Sequence, residues 1–114
     1  MLCGMSAHDP QMIKGVLSLL LLHVLDEEDG YGYAVVSRLR EAGFPDLAEG
    51  TVYPALTRLE AGGLLTSYLQ RSSSGPARKY YAISDTGRAE LARTRASWEQ
   101  LTTAVQAVLT GEAR

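Results

Sequence analysis

A chain of 114 residues, 46% of them hydrophobic, can bury one core and is too short for two ordinary domains. Only 7% are aromatic, and six of the eight aromatics are tyrosine, so Leu, Val, Ile and Ala must fill that core. The net charge of −2 excludes a uniformly basic nucleic-acid binder, and the lone Cys3 excludes an internal disulfide and suits a reducing cytoplasm.

Residues 1–10 read as a flexible N-terminal segment. From residue 11 to residue 25 the chain is continuously apolar apart from Lys14, Ser18 and His23, then stops at Asp26, Glu27, Glu28, Asp29 and Gly30. That pattern predicts a central helix buried on most sides. Its apolar stretch, residues 15–25, is too short to span a membrane, and no small-residue cleavage site follows it. Cys3, His8 and His23 are the only soft metal ligands, so no structural zinc site is expected and no cofactor is implied.

A second helix is expected from Gly32 to Ala42, with Tyr33, Val36, Leu39 and Arg40 following the rhythm of an amphipathic face and Gly43 ending it. Phe44, Pro45 and Asp46 then form a short connection.

The stretch EGTVYPALTRLEAGGLL, residues 49–65, carries helical spacing with a proline near its front. At 100° per residue, Val52, Ala55, Leu56, Leu59 and Gly63 fall on one side, which is read as core. Gly50, Pro54, Thr57, Arg58 and Ala61 form a small, polar and basic outer face. Proline is tolerated only where its missing N–H costs little, so Pro54 should lie within the first turn or two. Ala48 offers no capping oxygen, leaving Asp46 or Thr51 as caps. Tyr53 and Pro54 are then presented near the N-terminal end, the end that a DNA-reading helix pushes into the major groove.

Gly62 and Gly63 end that helix, and the period changes. Residues 64–71 and 77–83 are rich in β-formers and flank Ser72, Ser73, Ser74, Gly75 and Pro76, which predicts a hairpin with a five-residue loop. Alternation puts Lys79, Tyr81 and Ile83 on one face and Arg78, Tyr80 and Ala82 on the other. Tyr81 and Ile83 should turn inward, leaving Arg78, Lys79 and Tyr80 near an exposed tip where the two cations can meet phosphates. The charge distribution agrees: residues 1–50 hold three cations against eight acids, whereas residues 71–95 hold six against two. Such asymmetry suits a one-sided contact with an anion, and an ordinary solvated edge is the alternative.

Ser84 should cap a last helix, with Asp85 in its first turn, running to about Thr110. Leu91, Trp98 and Val105 share one heptad position and Thr94, Leu101 and Val108 the other. Such a helix extends roughly 40 Å, further than a small core covers. Leu91, Trp98, Leu101, Val105 and Val108 are therefore expected to meet a second copy in a homodimer. The alternative folds the helix back over the first within a monomer.

Three helices, a hairpin and a long helix make a mainly α winged helix-turn-helix. The chain resembles the PadR family of transcriptional regulators, in the short subgroup where a single C-terminal helix dimerises. The resemblance is carried by GYAVVSRL (residues 32–39), EGTVYPALTRLEAGGLL (49–65) and GPARKYYAISDTGRAEL (75–91). It implies a DNA-binding domain over residues 11–83 and a dimerisation helix and tail over 84–114. It further implies a cytoplasmic dimer on a double-stranded operator, usually repressing a nearby gene. Thr51, Tyr53, Pro54, Thr57 and Arg58 would face the major groove, and Arg78 and Lys79 would serve from the wing. Some relatives take flat aromatic effectors beside a tryptophan of the last helix, and Trp98 matches that position. Leu17, Leu20 and Leu21 are candidate walls of such a pocket, and plain packing of Trp98 between subunits is the alternative. Ala48 departs from the polar cap that relatives often carry.

No glycine-rich phosphate loop follows a strand and no Ser/His/Asp or Cys/His arrangement occurs, which argues against an enzyme. The remaining rival is a winged-helix protein-interaction module without DNA binding, which the acidic pI keeps as the alternative.

Overall fold

The structure, a computed structural model, describes residues 8–111; Cys3 lies outside them. Helix α1 spans Pro10–Glu27, opened by the Asp9 carboxylate accepting from the Gln11 N–H at 2.8 Å. His8 is held as well, its Nε2 lying 2.7 Å from the Gly43 carbonyl oxygen and its ring packing on Phe44. Residues 8–10, the end of the segment expected to be flexible, are thus held against α1 and the end of α2.

The chain continues through β1 (Gly30–Tyr31), α2 (Gly32–Ala42), α3 (Glu49–Ala61), β2 (Leu65–Ser72), β3 (Gly75–Ile83) and α4 (Asp85–Thr110). The antiparallel sheet has the order β1-β3-β2. Strand β1 went unseen in the sequence because two residues carry no alternation to read. Helix α1 is the centre of the fold: its Leu17, Leu21, Leu22, Val24 and Leu25 pack with residues of α2, α3, the inner sheet face and Leu91 of α4 in one core cluster. Among the described residues no helix is long and apolar enough to cross a membrane.

Helix α2 ends at Gly43, whose φ of 137° suits glycine alone. Its buried residues are Val35, Val36 and Leu39. Tyr33, expected on that apolar face, is 51% exposed instead, because the first turn overhangs the rim of the core beside Tyr53 rather than its middle.

Helix α3 buries Val52, Ala55, Leu56 and Leu59, the face read from its spacing, whereas Gly63 lies past the helix at φ 80°. Neither Asp46 nor Thr51 caps it. The Ala48 carbonyl alone starts the ladder, accepting from Thr51 and Val52 N–H at 3.0 and 3.2 Å. Pro54 stands in the second turn, where it denies the Gly50 carbonyl its i+4 donor and crowds that carbonyl with its ring, a cost of about 3 kcal/mol in a helix interior. Gly50 is exposed, so water can take that donor's place.

The hairpin is tighter than expected. β2 and β3 pair to within two residues of each other, leaving Ser73 and Ser74 as the turn and placing a register irregularity between Gln70 and Ser72. Tyr81 and Ile83 face the core as alternation required.

Below the hairpin the chain is knotted locally. Ser84 Oγ accepts from the Gly87 N–H at 3.0 Å and donates to the Gly63 carbonyl at 2.7 Å, while the Ser84 N–H reaches the Leu64 carbonyl at 3.1 Å. Gly87 lies so close to that Leu64 carbonyl and to Ile83 that an added Cβ would overlap both. Gly87→Ala is expected to lower stability by about 1–3 kcal/mol. Gly75→Ala, where the space is open, is the control; thermal unfolding followed by circular dichroism should separate the two.

Candidate nucleic-acid interface

The outer face of α3 is free. Thr51, Tyr53, Pro54, Thr57 and Arg58 are all exposed, and Arg58 forms no ion pair among the described residues. Thr57 Oγ1 is turned back onto the Tyr53 carbonyl at 3.1 Å, so its methyl is the outward group. The face is small because α3 carries Gly50 and Pro54 there, and the basic Arg58 sits near its far end.

Tyr53 is placed by α2. Its ring lies where a Cβ of Gly32 would stand, so glycine at the start of α2 is what lets the ring approach. Burial first, then the Glu49 carboxylate, raises the Tyr53 hydroxyl above its ordinary value. Like any tyrosine hydroxyl it is protonated at neutral pH, and it would exchange its contact with Glu49 for a phosphate or a base edge. Tyr31, Tyr33, Tyr53, Thr57, Lys79 and Tyr81 line the shallow groove between this ring and the wing.

The wing cations differ from expectation. Arg78 pairs with Gln70 and Lys79 with Leu69 in the strand register, so both lie mid-wing rather than at the tip. Arg78 sits over the Tyr31 ring at 4.6 Å, and Tyr31, Tyr80 and Tyr68 form a row across the three strands with centroid separations of 5.5 and 5.7 Å. The Tyr68 hydroxyl ends the row by donating to Asp29 at 2.7 Å, which raises the tyrosine's pKa. Lys79 points to the opposite face and is engaged: its Nζ lies 3.0 Å from Glu60 Oε1 on the last turn of α3. Glu60 also accepts from the Ser67 hydroxyl at 2.5 Å. Arg71, beyond both and nearest the turn, is exposed and without an ion pair among the described residues. The charge count had included it, but its place beside the tip depends on a turn tighter than the sequence suggested.

The other cations of the basic segment are spoken for. Arg88 pairs with Asp26 and Asp85, Arg93 with Glu90, and Arg95 meets His23. Of the three wing cations, Lys79 is paired with a carboxylate, whereas Arg71 and Arg78 form no ion pair among the described residues, Arg78 lying on the tyrosine face of the hairpin.

Three residues named for a second copy or a ligand are inside the chain's own core. Leu91 is 6% exposed, Leu17 4% and Leu21 0%, since α1 crosses directly beneath the root of α4. They have almost no surface left to offer, so neither a dimer seam through Leu91 nor pocket walls from Leu17 and Leu21 fit this structure. Trp98, Leu101, Val105 and Val108 are exposed.

A helix-turn-helix with a small-faced third helix, a tyrosine-braced wing and a long projecting fourth helix can now be set beside known proteins. The profile of the Transcriptional regulator PadR-like family matches residues 21–93, from the middle of α1 into α4. The chain belongs to the PadR-like family of transcriptional regulators. A Bacillus cereus PadR-like regulator of known structure shares 40% identity at a TM-score of 0.80, covering 90% of this chain and 99% of its own. An Eggerthella lenta PadR family regulator gives 36% and 0.80, covering 91% and 88%. A transcriptional regulator from Mycobacterium tuberculosis is 36% identical over 88 residues, 77% of this chain and 80% of its own. All three are described as transcriptional regulators, and the chain, as a member of this regulator family, belongs to that class.

The Ser67 hydroxyl first and Lys79 second hold the Glu60 carboxyl below its ordinary pKa, and Glu60 raises that of Lys79. A lowered acid stabilises the fold above its unfolded pKa and loses that contribution as pH falls through the folded value; a raised base loses its own only as pH rises through its folded value. The bridge is thus intact across neutral pH. Carbon-detected NMR should find Glu60 titrating below a free glutamate, and Ser67→Ala and Lys79→Gln should each move it upward.

Proposed function

We propose that this PadR regulator is a cytoplasmic homodimer that binds a two-fold operator as a repressor and is released by a small aromatic effector. The observation carrying the DNA reading is the exposed outer face of α3, with Arg58 on it and Arg71 and Arg78 on the wing all without an ion pair among the described residues. Thr51, Tyr53, Pro54, Thr57 and Arg58 would enter the major groove. Arg71 and Arg78 would meet flanking phosphates. The net charge of −2 does not oppose this, because four of the acids cluster at residues 26–29 around the end of α1 and several acids are internally paired.

Dimerisation is supported by α4. Of its 26 residues only Gly87 and Leu91 are buried, both in the first two turns. Beyond them Trp98, Leu101, Val105, Val108 and Leu109 form an apolar surface between 43% and 73% exposed. A strip of that kind on so small a protein calls for another surface to cover it, and the same strip on a second copy is self-complementary. Trp98 lies at the near end of the strip, where a planar aromatic ligand between copies would stack on it. The walls of such a site would come from exposed residues of both copies, since Leu17 and Leu21 are enclosed.

Nuclease footprinting upstream of the gene should show a pseudo-palindrome with half-sites about one turn, roughly 10 bp, apart. Arg71→Ala and Arg78→Ala should each flatten the slope of log affinity against log salt by about one; a salt-insensitive interaction would favour a protein-binding module instead. Val105→Glu should convert the dimer to monomer in sedimentation and weaken the operator complex. Titrating Trp98 fluorescence with planar aromatics should give saturable quenching for an effector, and quenching by none would remove the effector from this reading.

A further inference from the structure

Glu60 lies on no groove-facing position, yet it is the point at which α3 and the wing are joined. Its Oε2 accepts from Ser67 of β2 at 2.5 Å and its Oε1 faces Lys79 Nζ of β3 at 3.0 Å. The register pairs Ser67 with Tyr81 and Leu69 with Lys79, so Ser67 and Lys79 are diagonal neighbours on the face turned toward α3. One carboxylate thereby holds both strands to the last turn of the reading helix. Lys79 is further fixed over the Tyr81 ring, 5.1 Å from its centroid. No other ion pair among the described residues links the wing to a helix.

The wing needs such a fastening. Outward of Tyr81 the strands have left the core: Leu69, on the same face as Lys79, is 73% exposed, and every residue from 73 to 79 is exposed. Two antiparallel strands with no apolar backing are marginal in water. The outer face is braced by the tyrosine row, and the inner face has the Glu60 bridge in its place. A cation already paired to a carboxylate has its charge partly compensated where it stands and is aimed at the carboxylate rather than outward. Arg71 and Arg78 have no such partner among the described residues.

We propose that Glu60 is a positioning residue that sets the wing against the reading helix through Ser67 and Lys79, and that Lys79 spends its charge inside the head rather than on DNA. This rests on the DNA-binding reading for its effect on affinity, though not for the bridge itself. The bridge fixes where Arg71 and Arg78 stand relative to the α3 face, hence how far from the major-groove contact the flanking phosphates are gripped.

The test uses the full chain with two duplexes: the sequence that the wild-type chain selects from a randomised library, and a scrambled duplex of equal length. Hydrogen exchange is measured on the free protein. Glu60→Gln and Lys79→Gln should each speed exchange several-fold at wing amides 67–80 while α1 amides keep their protection, which a general loss of stability would not allow. Both should weaken the selected duplex several-fold, lower its preference over the scrambled one and leave the salt slope unchanged. The charge-swapped pair Glu60→Lys with Lys79→Glu should restore wing protection and preference together. Lys79→Gln flattening the slope by about one, with Glu60→Gln binding as tightly as wild type or tighter, would show Lys79 to be a phosphate ligand that Glu60 merely masks, and would overturn the proposal. Unchanged wing exchange in both variants would overturn it as well. If the wild-type chain selects no duplex, the DNA reading falls, and wing exchange alone then decides for or against the bridge.

Discussion

The Ser84 hydroxyl is the fixed point of this fold. By accepting from Gly87 and donating to the Gly63 carbonyl, it ties the start of α4 to the turn that ends α3. The Leu64 carbonyl adds a second tie by taking the Ser84 N–H. Four elements meet there: the end of α3, the start of β2, the end of β3 and the start of α4. A side chain at residue 87 would drive them apart, so the glycine is as necessary as the serine. With this junction set, the plane of the wing, the tilt of the reading helix and the launch angle of α4 are no longer independent. A displacement of α4 must reach α3 through about one turn of backbone, with no soft linker to absorb it.

Polar contacts between α1 and α4 reinforce the same joint from the other side. Arg88 bridges Asp26 and Asp85, and Arg95 meets the His23 ring whose other nitrogen faces Glu27. Arg38 of α2 joins the set, donating to the Val24 and Glu28 carbonyls and pairing with Glu27. Each pair is partly exposed and individually worth little. Their effect is one of placement: they consume the acids at the end of α1 and the cations at the start of α4. What remains without an ion pair around the proposed DNA-facing side is Arg58, Arg71 and Arg78, together with Glu49 beside Tyr53. A chain of net negative charge can thus present a locally positive face, since the long-range field matters less than which charges have lost their partners.

The helices were legible because burial writes a period into the sequence. The core face of α3, the caps of α4 and the glycine that stops α2 follow directly from residue spacing and backbone sterics. What could not be read was whatever depends on two distant segments meeting. Strand β1 exists because Gly30 and Tyr31 happen to lie along β3, and nothing local announces it. Tyr33 satisfied a helical rhythm, but a rhythm says which residues share a face and not where along the helix the core ends. The burial of Leu91, Leu17 and Leu21 has the same origin: a heptad on α4 continues past the point where α1 crosses it, and only the crossing tells core from seam. Lys79 is the sharpest case. Alternation placed it on the correct face of the hairpin, yet its commitment to Glu60 depends on the register of β2 against β3 and on the distance to the end of α3.

Pro54 shows why the reading helix tolerates poor helix formers. Its missing N–H, the absent side-chain cap at Ala48 and the glycine at position 50 all weaken the first two turns of α3, and each is a local fault by propensity alone. Burial of Val52, Ala55, Leu56 and Leu59 against α1 and α2 outweighs them. Stability is therefore carried on the inner face, and the outer one is left free to be shallow. In the proposed dimer the distance between two such faces is fixed by α4, through the Ser84 junction, rather than by α3 itself. A ligand lodged against Trp98 could act on DNA only by favouring one separation of the α4 pair over another. The rigidity of that junction is what would let a small difference there be felt at the groove.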